Sequence, residues 1–205
     1  MDIQLASLNK KFARDWIFNN LDFKFNQGKK YAITGNNGSG KTTLLRIIAG
    51  IDHPSSGNIT YSVNGKNVSG DHIYKLLSYA GPYTELVEEF SLSELLDFYL
   101  KFKPLEIGKN EFITKTGFQG FEDKIVKNFS SGMKQKLKLG LAIFTQNNLV
   151  LLDEPTSNFD QINTNWYLDI IKKNYPEKTI IICSNQKIEY DFCDQVLNIM
   201  DFKNR

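Results

Sequence analysis

The 205-residue chain is poor in cysteine, with Cys183 and Cys193 alone, and has only two histidines and five prolines. Two thiols cannot build a disulfide framework, and their scarcity suits a reducing compartment. His53 and His72 stand apart in polar stretches, so no Cys/His cluster has the spacing of a zinc site. An excess of one charge is also missing. With 25 basic and 23 acidic residues the net charge is +2, which offers nucleic acid or anionic lipid little. No apolar run approaches the roughly 20 residues that span a bilayer. The start, Met1-Asp2-Ile3-Gln4, lacks the basic and then apolar order of a signal peptide, so a cytoplasmic protein is expected. What the chain does have is a globular composition, 41% apolar and 13% aromatic. At this length about 70% of the unfolded surface can be buried without a disulfide or metal.

No internal repeat appears, and the pattern along the chain changes character twice. Leu21 to Asn26 alternates as a half-buried strand does, and Ile59 to Val63 alternates up to Asn64-Gly65, the strongest two-residue hairpin signal. Tyr31-Ala32-Ile33 differs: it is a short strand running into glycines and then a helix over Thr42 to Ala49 that Gly50 stops. From Pro82 to Ile143 the spacing is helical, with a capping box at Ser91 to Glu94 ahead of Leu95, Leu96, Phe98 and Tyr99. Two unbroken aliphatic runs follow, Leu149 to Leu152 and Thr179 to Cys183, which read as strands buried on both faces. Ile162, Trp166 and Ile170 mark one face of a helix between them, with Pro176 beyond its end. Strand, helix, strand implies a parallel crossover. The expected architecture is a parallel α/β core over 1–81 and 145–205 with an antiparallel β flank, interrupted by a helical subdomain over 82–144.

The chemistry concentrates in two places. Gly35, Asn36, Asn37, Gly38, Ser39, Gly40, Lys41 and Thr42 match the phosphate-binding pattern G-x-x-x-x-G-K-[ST], and Thr43 follows. Glycines let successive N–H groups curl inward at a helix start, forming an anion nest. Lys41 would reach the β- and γ-phosphates, and the Thr42 hydroxyl would take a place on Mg²⁺. A plain glycine-rich turn is the bland alternative, and the strand before and helix after the match speak against it. Asp153 and Glu154 end a buried strand, at the edge where parallel sheets hold ligands. Asp153 suits the acidic partner of Thr42 on the metal, and Glu154 suits a residue that orients water for attack on the γ-phosphate. Alone, Asp-Glu-Pro is an ordinary strand exit; beside the loop it gains meaning.

With these residues in order, the sequence resembles the nucleotide-binding subunits of ATP-binding-cassette (ABC) transporters along its whole length. Phe12, Gly35 to Thr42, the 82–94 linker, Phe129-Ser130-Ser131-Gly132-Met133, Leu149 to Glu154 and Ser157 to Asp160 carry the resemblance. The chain length and Phe121-Glu122-Asp123 also resemble the single-domain ATP-binding subunits of haem-export type. The resemblance implies a P-loop NTPase fold with a RecA-like core, Mg-ATP as substrate, and a separate transmembrane permease as partner at the inner face of the cell membrane. It further implies an ATP sandwich between two cassettes, in a homodimer or heterodimer. In it Ser130, Ser131 and Gly132 meet nucleotide bound to the opposite subunit, Phe12 stacks on adenine and Asp160 signals across the pair. Residue chemistry gives each a simpler reading too: a serine-capped helix at Ser130, a core aromatic at Phe12, a helix N-terminal acid at Asp160. Lys134, Lys136 and Lys138 read as a solvated face.

Two departures from the family pattern bear on rate. Pro82 stands where a glutamine senses the γ-phosphate, and proline has neither side-chain oxygen nor N–H. Glu85 would substitute only through a rearranged loop. Asn185 stands where a histidine contacts the γ-phosphate, and an amide donates a hydrogen bond without charge or exchangeable proton chemistry. ATP binding should survive both, and hydrolysis should be slower. The rival reading is a nucleotide-sensing module, in which ATP-driven dimerisation regulates a partner.

Overall fold

A computed structural model describes residues 1–173 and 177–203. They form two compact units. One comprises residues 1–79, 147–154 and the described residues after 176; the other takes 80–146 and 155–173. The second unit therefore extends beyond the 82–144 insert read from the sequence, because the helix after Pro155 packs with the helical residues. Pro176 lies outside the described residues.

The first unit holds two sheets. β1 (Asp2–Phe12) and β2 (Asp15–Phe25) pair antiparallel, and β3 (Lys30–Thr34) leads into α1 (Lys41–Ile48). β4 (Ser56–Val63) and β5 (Lys66–Val68) form the hairpin expected at Asn64-Gly65, whose φ values of 51° and 76° are those a primed turn needs. These elements give an antiparallel sheet in the order β2-β1-β4-β5. β6 (Leu77–Ala80), β7 (Leu149–Asp153), β8 (Thr179–Cys183) and β9 (Gln195–Asn198) join β3 in the order β6-β7-β8-β3-β9, with β7, β8, β3 and β9 parallel. Every residue of β7 and β8 is buried, as their unbroken apolar runs require. The core of this unit joins Ile3, Leu5 and Phe25 of the first sheet to Ile33, Leu151 and Ile181 of the second, with Leu44 and Ile48 of α1 between. Gly50, at φ 72°, ends α1 in the left-handed turn expected of it.

The second unit is helical: α2 (Leu92–Leu100), α3 (Lys109–Thr116), α4 (Ser131–Phe144) and α5 (Gln161–Ile171). The capping box at α2 is complete, Glu94 N–H donating to Ser91 Oγ (3.2 Å) and Ser91 N–H to Glu94 Oε2 (2.8 Å). Its core is aromatic, with Phe118 stacked on Phe129 and Phe112 edge-on to Phe144. Phe121 also sits edge-on to Phe129, so part of the Phe121-Glu122-Asp123 run has a packing duty. On α5 the expected face is corrected. Ile162 is 78% exposed, and the buried stripe is Tyr167, Ile170 and Ile171. Trp166 lies half-buried because its indole N–H donates to the Lys115 carbonyl (2.7 Å).

The three lysines of α4 are not a solvated face. Lys134 pairs with Glu88 (2.7 Å), Lys138 donates to the Gly81 carbonyl (3.2 Å), and the Lys136 ammonium lies 4.8 Å above the Trp166 ring. Burial lowers the affinity of Lys136 and Lys138 for their protons, and the Asp160 carboxylate partly restores that of Lys136. A helix in a small unit has little wholly solvated surface, and long lysine stems cover what is there. Among the described residues no helix is long and apolar enough to cross a membrane.

Candidate functional site

Parallel pairing brings three chain segments to one edge of the second sheet. Asp153 is in register with Cys183, and Cys183 with Ile33, so the residues following β7, β8 and β3 emerge together. Glu154 N–H donates to the Cys183 carbonyl (2.9 Å) and Ser184 N–H to that of Ile33 (3.2 Å). Ligands collect at this carboxyl edge in open parallel sheets.

The glycine loop joins β3 to α1 there. Gly35, Gly38 and Gly40 have φ of 145°, 71° and 107°, left-handed values that glycine holds without strain. Two of the three are also sterically required. A Cβ on Gly40 would lie 2.2 Å from Ile17 Cγ2, and one on Gly35 would lie 2.8 Å from both Ile199 Cγ2 and Ser39 Oγ. Ser39 N–H closes a turn onto Asn36 O (3.1 Å), while the Ser39 hydroxyl is buried with no partner. Lys41 is 6% exposed, and its ammonium donates to the carbonyls of Gly35 (2.9 Å) and Asn36 (3.1 Å). The loop thus curls around its own lysine.

Opposite stands Asp153, 1% exposed. Its Oδ2 accepts from the Thr42 hydroxyl (2.7 Å) and from the Tyr79 hydroxyl (3.4 Å), and its Oδ1 is buried without a partner. Burial pushes the Asp153 carboxyl up from the usual carboxylate range. The Thr42 hydrogen bond opposes that shift, the neighbouring Glu154 charge adds to it, and Tyr79 and Lys41 draw it back. The same burial pushes the Tyr79 phenol well above its ordinary value, keeping it a donor. A buried carboxylate oxygen with no hydrogen bond, next to a hydroxyl, fits a hard cation that takes oxygen ligands.

Glu154 turns the other way. Its φ of 48° swings the exposed side chain toward a cleft of about 200 Å³ that it shares with Ile17 and with Asn37 to Thr43. Asn185 reaches the same loop, its Nδ2 donating to Asn37 Oδ1 (2.9 Å). Phe12, at the end of β1, is 51% exposed under the Lys10 ammonium at 4.8 Å, so it is not a core aromatic. Phe18 takes the core position.

The remaining residues expected from the sequence lie in the helical unit. Ser130 caps α4, accepting from Met133 N–H (3.2 Å), with Ser131 and Gly132 at the first two helical positions. Asp160 caps α5, accepting from Asn163 N–H (2.8 Å). Pro82 and Glu85 line a separate cleft of about 560 Å³ with Glu88, Glu89, Lys134 and Lys138. Sequence reasoning missed Ile17, Tyr79 and Gln135, whose buried amide donates to the Pro155 carbonyl (3.0 Å). The first two carry no motif of their own. The glutamine two residues past Met133 could have been suspected from its place on the helix face that carries Leu139.

Comparison with known proteins decides the family. The family model described as ABC transporter matches residues 18–157. The chain belongs to the ABC transporter family. It is 31% identical, over 96% of its length and 92% of the relative's, to an uncharacterized ABC transporter ATP-binding protein of Bacillus subtilis. A lantibiotic transport ATP-binding protein of Streptococcus pyogenes is 30% identical over 89% of this chain and 79% of its own. Among solved structures, a putative ABC transporter ATP-binding protein of Pyrococcus furiosus superposes with a TM-score of 0.82 at 21% identity, covering both chains fully. An ATP-binding cassette solved as a dimer with ADP and phosphate gives 0.78 at 18% identity, over 96% and 94% of the two chains. The fold is therefore that of the ABC ATPases, and this cassette is an ATP-binding subunit that binds nucleotide and hydrolyses ATP.

Proposed function

We propose that the cassette binds Mg-ATP in the cleft between the glycine loop and Glu154, and that its hydrolysis there powers a separate membrane permease from the cytoplasmic face. The observation that carries this reading is the 2.7 Å bond between Thr42 and Asp153, with Asp153 Oδ1 left bare. Thr42 and Asp153 would hold Mg²⁺, which when bound neutralises charge on the β- and γ-oxygens. The threonine hydroxyl can keep its proton on Asp153 while its lone pair faces the cation.

Lys41 exchanges its two loop carbonyls for phosphate oxygens, and the N–H groups of Gly38 and of Gly40 to Thr43 close round the polyphosphate. Glu154 orients the attacking water. Phe12, exposed and next to a cation, suits stacking on adenine. The exposed helix starts at Ser131-Gly132 and after Asp160 suit a nucleotide held by a second cassette, either another copy of this chain or a different one. The permease contact belongs to the helical unit around Tyr83 to Tyr99. Relatives at similar identity are named for lantibiotic transport and for Fe³⁺ import, so cargo is a property of the permease. The near-neutral net charge gives nucleic acid no role.

Turnover is slow in this reading. Pro82 brings no polar side chain, and the Asn185 amide is spent on Asn37. That bond also favours a second reading, a nucleotide-operated switch in which closure of the pair, more than turnover, acts on the partner. Glu154→Gln separates them. Loss of the carboxylate should cut phosphate release by about 10²-fold or more while ATP affinity is retained. Equal phosphate release from the variant and the parent removes Glu154 from its role and leaves the switch.

A further inference from the structure

One contact at Asp153 has no part in the proposed function, that of the Tyr79 hydroxyl. Its ring packs against the core of the first unit, and its oxygen stands 3.4 Å from Asp153 Oδ2, the same oxygen that Thr42 donates to. β6, which carries Tyr79, is itself pinned: Leu77 and Ser78 are buried, and Ser78 Oγ accepts from Asn147 Nδ2 (2.8 Å).

We infer that Tyr79 is a positioning residue for the metal, holding the plane of the Asp153 carboxylate so that its second oxygen stays free for a hard cation. The inference rests on the metal reading of Thr42 and Asp153. A carboxylate turns about a broad, two-fold terminal torsion, so a single donor fixes its distance better than its plane. Two donors on one oxygen, one from α1 and one from β6, fix both. The consequence is visible in the pattern of partners: one Asp153 oxygen has two and the other none. Thr42 alone, as one donor, fixes the distance to that oxygen and leaves the plane to a second. On β6 the Ser78 hydroxyl is taken up by Asn147, so Tyr79 is the side chain of this strand that reaches Asp153. Groups that orient a metal ligand commonly change metal affinity by about 10- to 100-fold when removed.

The test is the Mg²⁺ dependence of nucleotide affinity, read by calorimetry with a non-hydrolysable ATP analogue on the parent chain, Tyr79→Phe and Asp153→Asn, with Thr42→Val as a second control. Phenylalanine keeps the packed ring and removes only the hydroxyl. Tyr79→Phe should match the parent in affinity without metal and in melting temperature, while the Mg²⁺ concentration for half the tightening rises about tenfold. A Tyr79→Phe midpoint equal to the parent's, with the Asp153 and Thr42 variants shifted, overturns the inference and leaves the metal reading standing. Lower affinity without metal, or a lower melting temperature with no midpoint shift, makes Tyr79 a packing residue and overturns it too. Unchanged Mg²⁺ dependence in Asp153→Asn and Thr42→Val overturns the metal reading itself, and the inference with it.

Discussion

Helix starts of two kinds occur in this cassette, and they treat their polar groups in opposite ways. α1 begins after Gly40, a residue with no side chain to cap it, and the Ser39 hydroxyl next to it is buried without a partner. Its lysine donates to the loop carbonyls of Gly35 and Asn36. α4 begins after Ser130, which caps it, and α5 after Asp160, which does the same. A start whose first N–H groups have a side-chain acceptor is stable by itself. One built from glycine, with donors left pointing into a cleft, is stabilised by what enters it. An uncapped start is not enough by itself, since α3 also begins after a glycine, Gly108, with no side-chain cap; in the proposed reading α1 differs by its left-handed glycines and its enclosed lysine.

That contrast can be broken by experiment. The largest effect is expected for Lys41→Ala, which removes a charge-assisted contact of about 1.5–3 kcal/mol and so weakens ATP binding by about 10- to 100-fold, measured by nucleotide titration. The nucleotide-free chain also loses the lysine's two loop contacts, so its melting temperature should fall, but at a smaller free-energy cost than the loss of affinity. Ser130→Ala should do the reverse. Loss of the cap costs about 1 kcal/mol of stability in a melting or denaturant experiment, while nucleotide affinity of the single chain stays at the parent value. Equal losses of affinity in the two variants would erase the distinction between the helix starts.

The smallest effect lies at the far end of α1, where the Arg46 guanidinium grips both oxygens of Asp52 (2.8 and 3.2 Å). The hydrogen bond from Arg46 holds the Asp52 carboxyl below the usual carboxylate range, burial opposes it, and the charges of Arg46, Lys10 and His53 add to the lowering. A depressed carboxyl contributes stability that is complete above its unfolded value near 4 and is lost as pH falls through its folded one. Asp52→Asn should therefore make the acid limb of a stability profile below about pH 4 shallower and leave ATP affinity alone.

Much of this was legible before any coordinates, and the division between what was and was not has a physical basis. Gly35 to Thr42 spell out their conformation, because only glycine tolerates φ of 107° against Ile17. Leu149 to Leu152 and Thr179 to Ile182 declare burial on both faces by having no polar alternation. Contacts between segments far apart in the chain had no local signal. Tyr79 reaching Asp153, Asn185 reaching Asn37 and Ile17 closing the cleft are set by which strands are neighbours, and strand order is not written in any one segment. The misreadings had the same root. Ile162 looks like a core residue by its spacing, yet the stripe of α5 that is buried is Tyr167, Ile170 and Ile171, and which stripe packs depends on other elements of the unit. Lys134, Lys136 and Lys138 looked solvated because their partners, Glu88, Trp166 and Gly81, come from other elements.

Glu154 shows what this arrangement asks of evolution. A left-handed backbone at a side-chain-bearing residue costs on the order of 1 kcal/mol or more, and glycine would hold the same turn freely. In the proposed reading of Glu154 as the residue that orients water, glycine here would relax the backbone and remove that carboxylate, so fold and chemistry would pull this one position in opposite directions.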